Sequence, residues 1–339
     1  MLLITLATFV VGLALLAWGG DRFVLGSGAI AKNLRLPPIV IGLTVAGFAT
    51  SAPEMLISAV ASLGGNPSLA LGNAVGSNIA NIGLVLGVAA LIQPQTLRST
   101  TTRQQLLALF IVTILVFPLF FDGFLSQRDG YILLASLFPL TALVIVLSLR
   151  SEQPDSTHTA IAARGPDDMG MPKAVMWLII GLALMLYGAD LLVTGAEFFA
   201  RAIGISDLVI GLTMVAVGTS LPELAVAIAG ALKHKYDLVI GNIIGSNIFN
   251  LLAVIGIAGV IEPHNLDGRV VNLDYPVMAG FTLVILMLAY NRGLRVKLSS
   301  RLRLIIRHKK QVIGRLIGGI LLGAFFVYHG FTAWNIFSA

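Results

Sequence analysis

Cysteine is absent from the chain, which removes disulfide scaffolds, thiolate metal centres and cysteine nucleophiles together. Charge is nearly as scarce. Only 11% of the 339 residues are Asp, Glu, Lys or Arg, against roughly 25% in a soluble domain, so there is too little polar surface to cover a water-facing fold. There is no HExxH pair, no phosphate-binding glycine loop and no nucleophile beside a base, which leaves enzyme chemistry without a candidate. What is abundant is apolar: 57% of residues are hydrophobic and the mean hydropathy is +0.93. The chain reads as a polytopic membrane protein. Its net charge of +6 falls in loops between apolar runs, where membrane topology accounts for it without nucleic acid as a partner.

Windows of about 18 to 25 apolar residues predict ten transmembrane helices, at 2–20, 38–63, 68–93, 104–121, 130–149, 173–194, 207–232, 237–261, 274–291 and 312–335. Met1 to Trp18 has neither a basic n-region nor a small-residue cleavage site after it, so it reads as a retained first span. If the N-terminus is outside, the inner loops collect 19 of the 22 basic residues and the outer loops keep Arg128, Arg201 and Arg269. The positive-inside rule then orients the chain with both termini outside. The basic stretch from Arg292 to Arg315 reads as an inner connector that attracts anionic membrane lipid.

A single stretch occurs twice. IGLTVAGFATSAPE (Ile41 to Glu54) with LALGNAVGSNIAN (Leu69 to Asn81) returns as IGLTMVAVGTSLPE (Ile210 to Glu223) with LVIGNIIGSNIFN (Leu238 to Asn250), offset by 169 positions. Of the 47 positions from Ile41 to Gly87, 19 are identical in the second copy, which makes this an internal repeat. The Ser, Pro, Gly and Asp content of Arg150 to Pro172 reads as a cytoplasmic linker. It separates residues 1–149 from residues 173–339, each with five spans and one motif. Because five is odd, the second half enters from the opposite side. The expected fold is therefore all-α, with ten transmembrane helices as two inverted five-helix repeats, an architecture of secondary transporters with a site near the midplane.

Glu54 and Glu223 sit mid-span at matching positions of the repeat. A charge at the bilayer centre costs at least ~2.5–3.5 kcal/mol, and no Arg, Lys or His lies at comparable depth to compensate either one. A cation or a proton is the remaining partner. Pro53 and Pro222 precede the glutamates and release the carbonyls of Ala49 and Gly218, which makes backbone oxygens available. Thr50 and Ser51 share a helical face with Glu54, as Thr219 and Ser220 do with Glu223. Asn73, Ser77 and Asn81 recur every four residues on the next span, matched by Asn242, Ser246 and Asn250. All are hard oxygen donors, which favours calcium first, ahead of magnesium, manganese or sodium, and disfavours zinc or copper.

The glycines Gly72, Gly76, Gly241 and Gly245 have GxxxG spacing and read chiefly as close helix contacts. Asn78 and Asn247 lie on a different helical face from Asn81 and Asn250 and read as packing or supporting groups. Asp21 and Asp190 are expected to end the first span of each half as interfacial anchors. His234 reads as a solvated turn residue, and the other four histidines as lying in or near loops.

The paired ATSAPE/GNAVGSNIAN and GTSLPE/GNIIGSNIFN motifs resemble the two alpha-repeats of the sodium/calcium exchanger branch of the cation/calcium exchanger superfamily, most closely a compact prokaryotic member. The resemblance implies an antiporter that exchanges calcium for sodium by alternating access, in the inner membrane, with transported ions in place of cofactors and no protein partner required. It implies Glu54 and Glu223 as shared carboxylates; oxygens from Thr50, Ser51, Thr219 and Ser220; Ser77 and Ser246 at sodium positions; Asn81 and Asn250 at the centre; and backbone oxygens of Gly47 and Ala216. It also implies that the first span of each half slides against the remaining core. Several family members carry an aspartate at one of the two central positions, whereas this chain has asparagine at both. Two carboxylates balance one calcium or two monovalent ions, so a two-sodium or proton-coupled cycle fits the charge better than three sodium ions. A calcium/proton antiporter and, further off, a cation channel remain open alternatives.

Overall fold

The computed structural model describes residues 2–97, 99–150, 169–202, 218–290 and 312–338. The helices are α1 (Leu2–Leu34), α2 (Pro38–Leu63), α3 (Pro67–Ile92), α4 (Thr100–Phe120), α5 (Gln127–Arg150), α6 (Met171–Ala202), α7 (Leu221–Leu232), α8 (Tyr236–Ile261), α9 (Val270–Tyr290) and α10 (Arg315–Ser338). Among the described residues, 9 of these are long and apolar enough to cross a membrane, and α7 is the shorter apolar helix. The start of the seventh expected span, 207–217, lies outside the described residues, as do most of the linker and nearly all of the basic stretch.

Two boundaries differ from the sequence expectation. The first span does not stop at residue 20: α1 continues to Leu34, so Asp21 lies inside a helix, and Asp190 likewise lies inside α6. Polar side chains do not end a helix when they find partners, and those of α1 do. Lys233 pairs with Asp21, while the Arg22 guanidinium lies over the rings of Trp18 and Trp177 at 5.6 and 4.9 Å. α1 ends instead where Arg35 turns to a left-handed φ of 54° and Leu36 N–H reaches back to Ala31 O at 2.9 Å, just before Pro37 and Pro38. The repeat-related Gly65 and His234 close α2 and α7 in the same left-handed way. His234 is exposed, as expected, with Nδ1 2.8 Å from Tyr236 Oη. His329 departs from expectation, since it lies within α10, half-buried, with its ring 4.4 Å from that of Phe325.

Apolar packing forms two clusters. The larger joins α3 and α8 to α4, α5, α9 and α10. The smaller belongs to α1 and α6 and touches α2 and α7 mainly through small residues such as Ala46, Ala49, Ala225 and Ala229. α1 and α6 meet along a seam in which Gly12 faces Gly188, Gly19 faces Gly181 and Gly26 faces Ala174. A Cβ on Gly12 would lie 2.9 Å from Gly188 O, and one on Gly19 would lie 2.8 Å from Gly181 O, so only glycine permits this approach. Two short antiparallel strand pairs, Gln95–Thr96 with Val312–Ile313 and Phe124–Leu125 with His264–Asn265, fasten loops of one half to loops of the other.

Candidate functional site

The site begins with a broken helix. α2 leaves helical geometry at Ser51 (φ −85°, ψ 0°) and restarts at Ala52, with Pro53 in the first turn, where a missing N–H costs nothing. Ser220 has the same φ and ψ ahead of Pro222. Each glutamate therefore sits in the first turn of a new helix segment, at the end where free N–H groups favour a negative charge. The break expected from the prolines is present in both halves.

Glycine then sets the crossing that closes the site. The first segment of α2 runs against α8 so tightly that a Cβ on Gly47 would lie 2.9 Å from Gly245 Cα, and one on Gly42 would lie 2.6 Å from Leu238 O. A Cβ on Gly245 or Gly241 would collide with the carbonyl of Leu43 or Ile39. The approach brings Thr50 to the opposite half: its Oγ1 donates to Asn242 Oδ1 at 3.3 Å and lies 3.1 Å from Ser246 Oγ. Thr219 Oγ1 donates to Asn73 Oδ1, also at 3.3 Å. The sequence paired each glutamate segment with the next helix of its own half, whereas these hydroxyl contacts run between halves, because the glycine crossing is between halves.

Glu54 and Glu223 are both 0% exposed. Glu54 faces the Thr219 hydroxyl, and Glu223 faces Thr50 and Ser246. Neither has a hydrogen-bonded partner on either oxygen. Ser51 Oγ, Ser77 Oγ, Asn81 Oδ1 and Asn250 Oδ1 are also buried without partners. An unpartnered buried polar group costs about 1–3 kcal/mol, so a layer of oxygens of this kind is uneconomic unless something positive binds it. The amide nitrogens of Asn73, Asn242 and Asn247 are buried without partners as well, but the atoms of the layer able to bind a cation are all oxygens, and calcium takes six to eight such ligands. Among the described residues no cluster of three His, Cys, Asp or Glu offers an alternative metal centre.

The central amides meet across the halves too. Asn81 Nδ2 donates to Asn247 Oδ1 at 2.9 Å, and Asn250 Nδ2 donates to Asn78 Oδ1 at 3.1 Å. Directly after each, the backbone widens to a π-helical turn, at Asn81–Val85 and Asn250–Val254, a distortion common at functional sites. The Gly47 carbonyl accepts Ser51 N–H at 3.1 Å and keeps one lone pair. Ala216 lies outside the described residues. Ser220 is buried beside the others. Ser58, which the sequence did not single out, is buried next to the site and donates to Val254 O at 2.8 Å. Its repeat mate is Ala227, so the repeat gave no signal.

A family model described as sodium/calcium exchanger protein matches residues 4–148 and 173–334. The chain belongs to the sodium/calcium exchanger family. This exchanger is 31% identical to the sodium/calcium exchanger MaX1 of Methanosarcina acetivorans, over 85% of this chain and 91% of that one. It is 36% identical to the inner membrane protein YrbG of Escherichia coli strain K12, over 98% of each. A solved structure of the sodium-calcium exchanger NCX_Mj superposes with a TM-score of 0.80 at 33% identity, covering 97% of this chain and 99% of that one. The ten-helix exchanger fold is thus shared, and this exchanger is a multi-pass cation/calcium antiporter rather than an enzyme.

Proposed function

We propose that the exchanger exports calcium across the inner membrane in exchange for entering sodium, with Glu54 and Glu223 as carboxylates common to both ions. One observation carries this reading: two fully buried, unpartnered carboxylates, one from each half, sit among further unpartnered oxygens, and among the described residues no Lys, Arg or His side chain is fully buried with them. Thr50, Ser51, Thr219 and Ser220 supply hydroxyl or backbone oxygens, Ser77 and Ser246 flank the sodium positions, Asn81 and Asn250 offer amide oxygens, and the Gly47 and Ala216 carbonyls complete the set. Calcium and sodium compete for the same charge, so loading one ion displaces the other, and alternating access converts that competition into exchange. The asymmetry of basic residues supports both termini outside, with residues 1–149 and 173–339 as the two repeats about a cytoplasmic linker.

Proton coupling is the second reading, favoured by the count of only two carboxylates in the layer. Proteoliposomes loaded with sodium, with potassium, or carrying only a pH gradient separate the two. Calcium uptake driven by an outward sodium gradient alone supports sodium coupling. Uptake driven only by the pH gradient overturns it and makes the same glutamates proton carriers.

A further inference from the structure

Asn78 is held at both ends of its amide. Its Nδ2 donates to the backbone carbonyl of Asn247 at 3.2 Å and to Met278 Sδ at 3.4 Å, and its Oδ1 accepts Asn250 Nδ2 at 3.1 Å. A backbone carbonyl can only accept, so it fixes which end of the Asn78 amide carries nitrogen. The other end is therefore oxygen, and whatever faces it from position 250 must donate. Asn250 does so with Nδ2, which leaves Asn250 Oδ1 as its buried, unpartnered end. Asn247 mirrors this arrangement on Asn81, but its own Nδ2 has no partner, so only Asn78 is anchored on both sides.

We propose that Asn78 is a positioning residue for cation exchange: it locks the Asn250 amide in the one orientation that presents a neutral oxygen to the ion. The proposal rests on the reading of the glutamate layer as the ion site. It also accounts for the asparagine at position 250. An ionised carboxylate there would meet Asn78 Oδ1 acceptor to acceptor, so the clamp keeps the charge of the layer at that of its two glutamates. Without the clamp the Asn250 amide is free to turn its nitrogen toward the cation, and binding weakens while the helices that move during exchange are untouched.

The test is a double-mutant cycle on calcium exchange by the full chain in proteoliposomes. Asn78→Ala should raise the calcium concentration for half-maximal exchange by about 10-fold, the lower end of the usual cost of losing a ligand-orienting partner. Its maximal rate should stay within about 2-fold, since nothing in the moving helices has changed. Asn78→Ser, with a smaller loss of volume, should show the same split if Asn78→Ala folds poorly. In an Asn250→Ala background, where no amide remains to be oriented, Asn78→Ala should add nothing. Multiplying effects in the double variant, or an unchanged half-maximal concentration in both single Asn78 variants, would overturn the clamp. Exchange that survives Glu54→Gln, run alongside, would instead overturn the reading of the site itself.

Discussion

Lys233 Nζ lies 2.9 Å from Asp21 Oδ1 and 3.4 Å from the Asp21 backbone carbonyl, joining α1 to the turn after α7. The link has no mirror image, because the repeat-related position of Lys233 is Gly64 and the mate of Asp21, Asp190, is exposed. Around it the contact between α1 and α7 is smooth: a Cβ on Gly20 would lie 2.9 Å from Ala225 O, and Ala225 and Ala229 line the rest. The Lys233–Asp21 link thus borders a closely packed alanine-and-glycine contact between α1 and α7.

Asp21→Asn should loosen that fastening. A partly exposed pair is worth roughly 0.2–1 kcal/mol, and 1 kcal/mol is about a 5-fold shift in an equilibrium. The cysteine-free chain allows a clean readout with Ala229→Cys, which is buried behind α1. Labelling by a membrane-impermeant thiol reagent from the face of Lys233 should rise by up to about 5-fold with Asp21→Asn. An unchanged rate would mean that the ion pair holds nothing closed.

Glu54→Gln and Glu223→Gln keep side-chain shape and remove one charge each. At a bilayer-centre cost of ~2.5–3.5 kcal/mol for an uncompensated charge, calcium exchange should fall by about 100-fold or more in each. Circular dichroism and gel filtration should match the parent, since glutamine keeps the shape and volume of the buried side chain. Loss of folded protein, or exchange at the parental rate, would contradict this account.

Charge counting gives a third expectation. Two carboxylates balance one calcium or two sodium ions, so sodium-driven calcium uptake should be electroneutral. Its rate should not change when a potassium gradient with valinomycin sets the membrane potential at different values. A reversal potential that fits three sodium ions per calcium would show that another group shares the charge.

The α2–α8 crossing should be intolerant of even a methyl group. Gly245→Ala pushes Cβ into the Leu43 carbonyl, and overpacking of this kind costs typically about 1–3 kcal/mol. Gly280→Ala is the control, on an exposed face of α9 with no heavy atom within 4 Å of its Cβ position. Thermal unfolding in detergent should separate the two, with a lowered midpoint only for Gly245→Ala.

Much of the exchanger was legible in its residues. Apolar runs fixed where helices form, because an unpaired peptide group in lipid is too costly to leave outside a helix. The repeat of Glu54 at Glu223, each behind a proline, points to the proposed site, because a carboxylate deep in an apolar span needs a compensating charge. Other features depended on neighbours distant in sequence. The length of α1 depended on Lys233 and Trp177 satisfying Asp21 and Arg22. The partner of Thr50 proved to be Asn242 of the other half, because Gly42 and Gly47 meet Gly241 and Gly245 there. Periodicity assigned Asn78 to another face of its helix. Only the tertiary structure brought it to Asn250, since an amide's hydrogen-bond polarity is decided by the atoms facing it and not by its place in the chain.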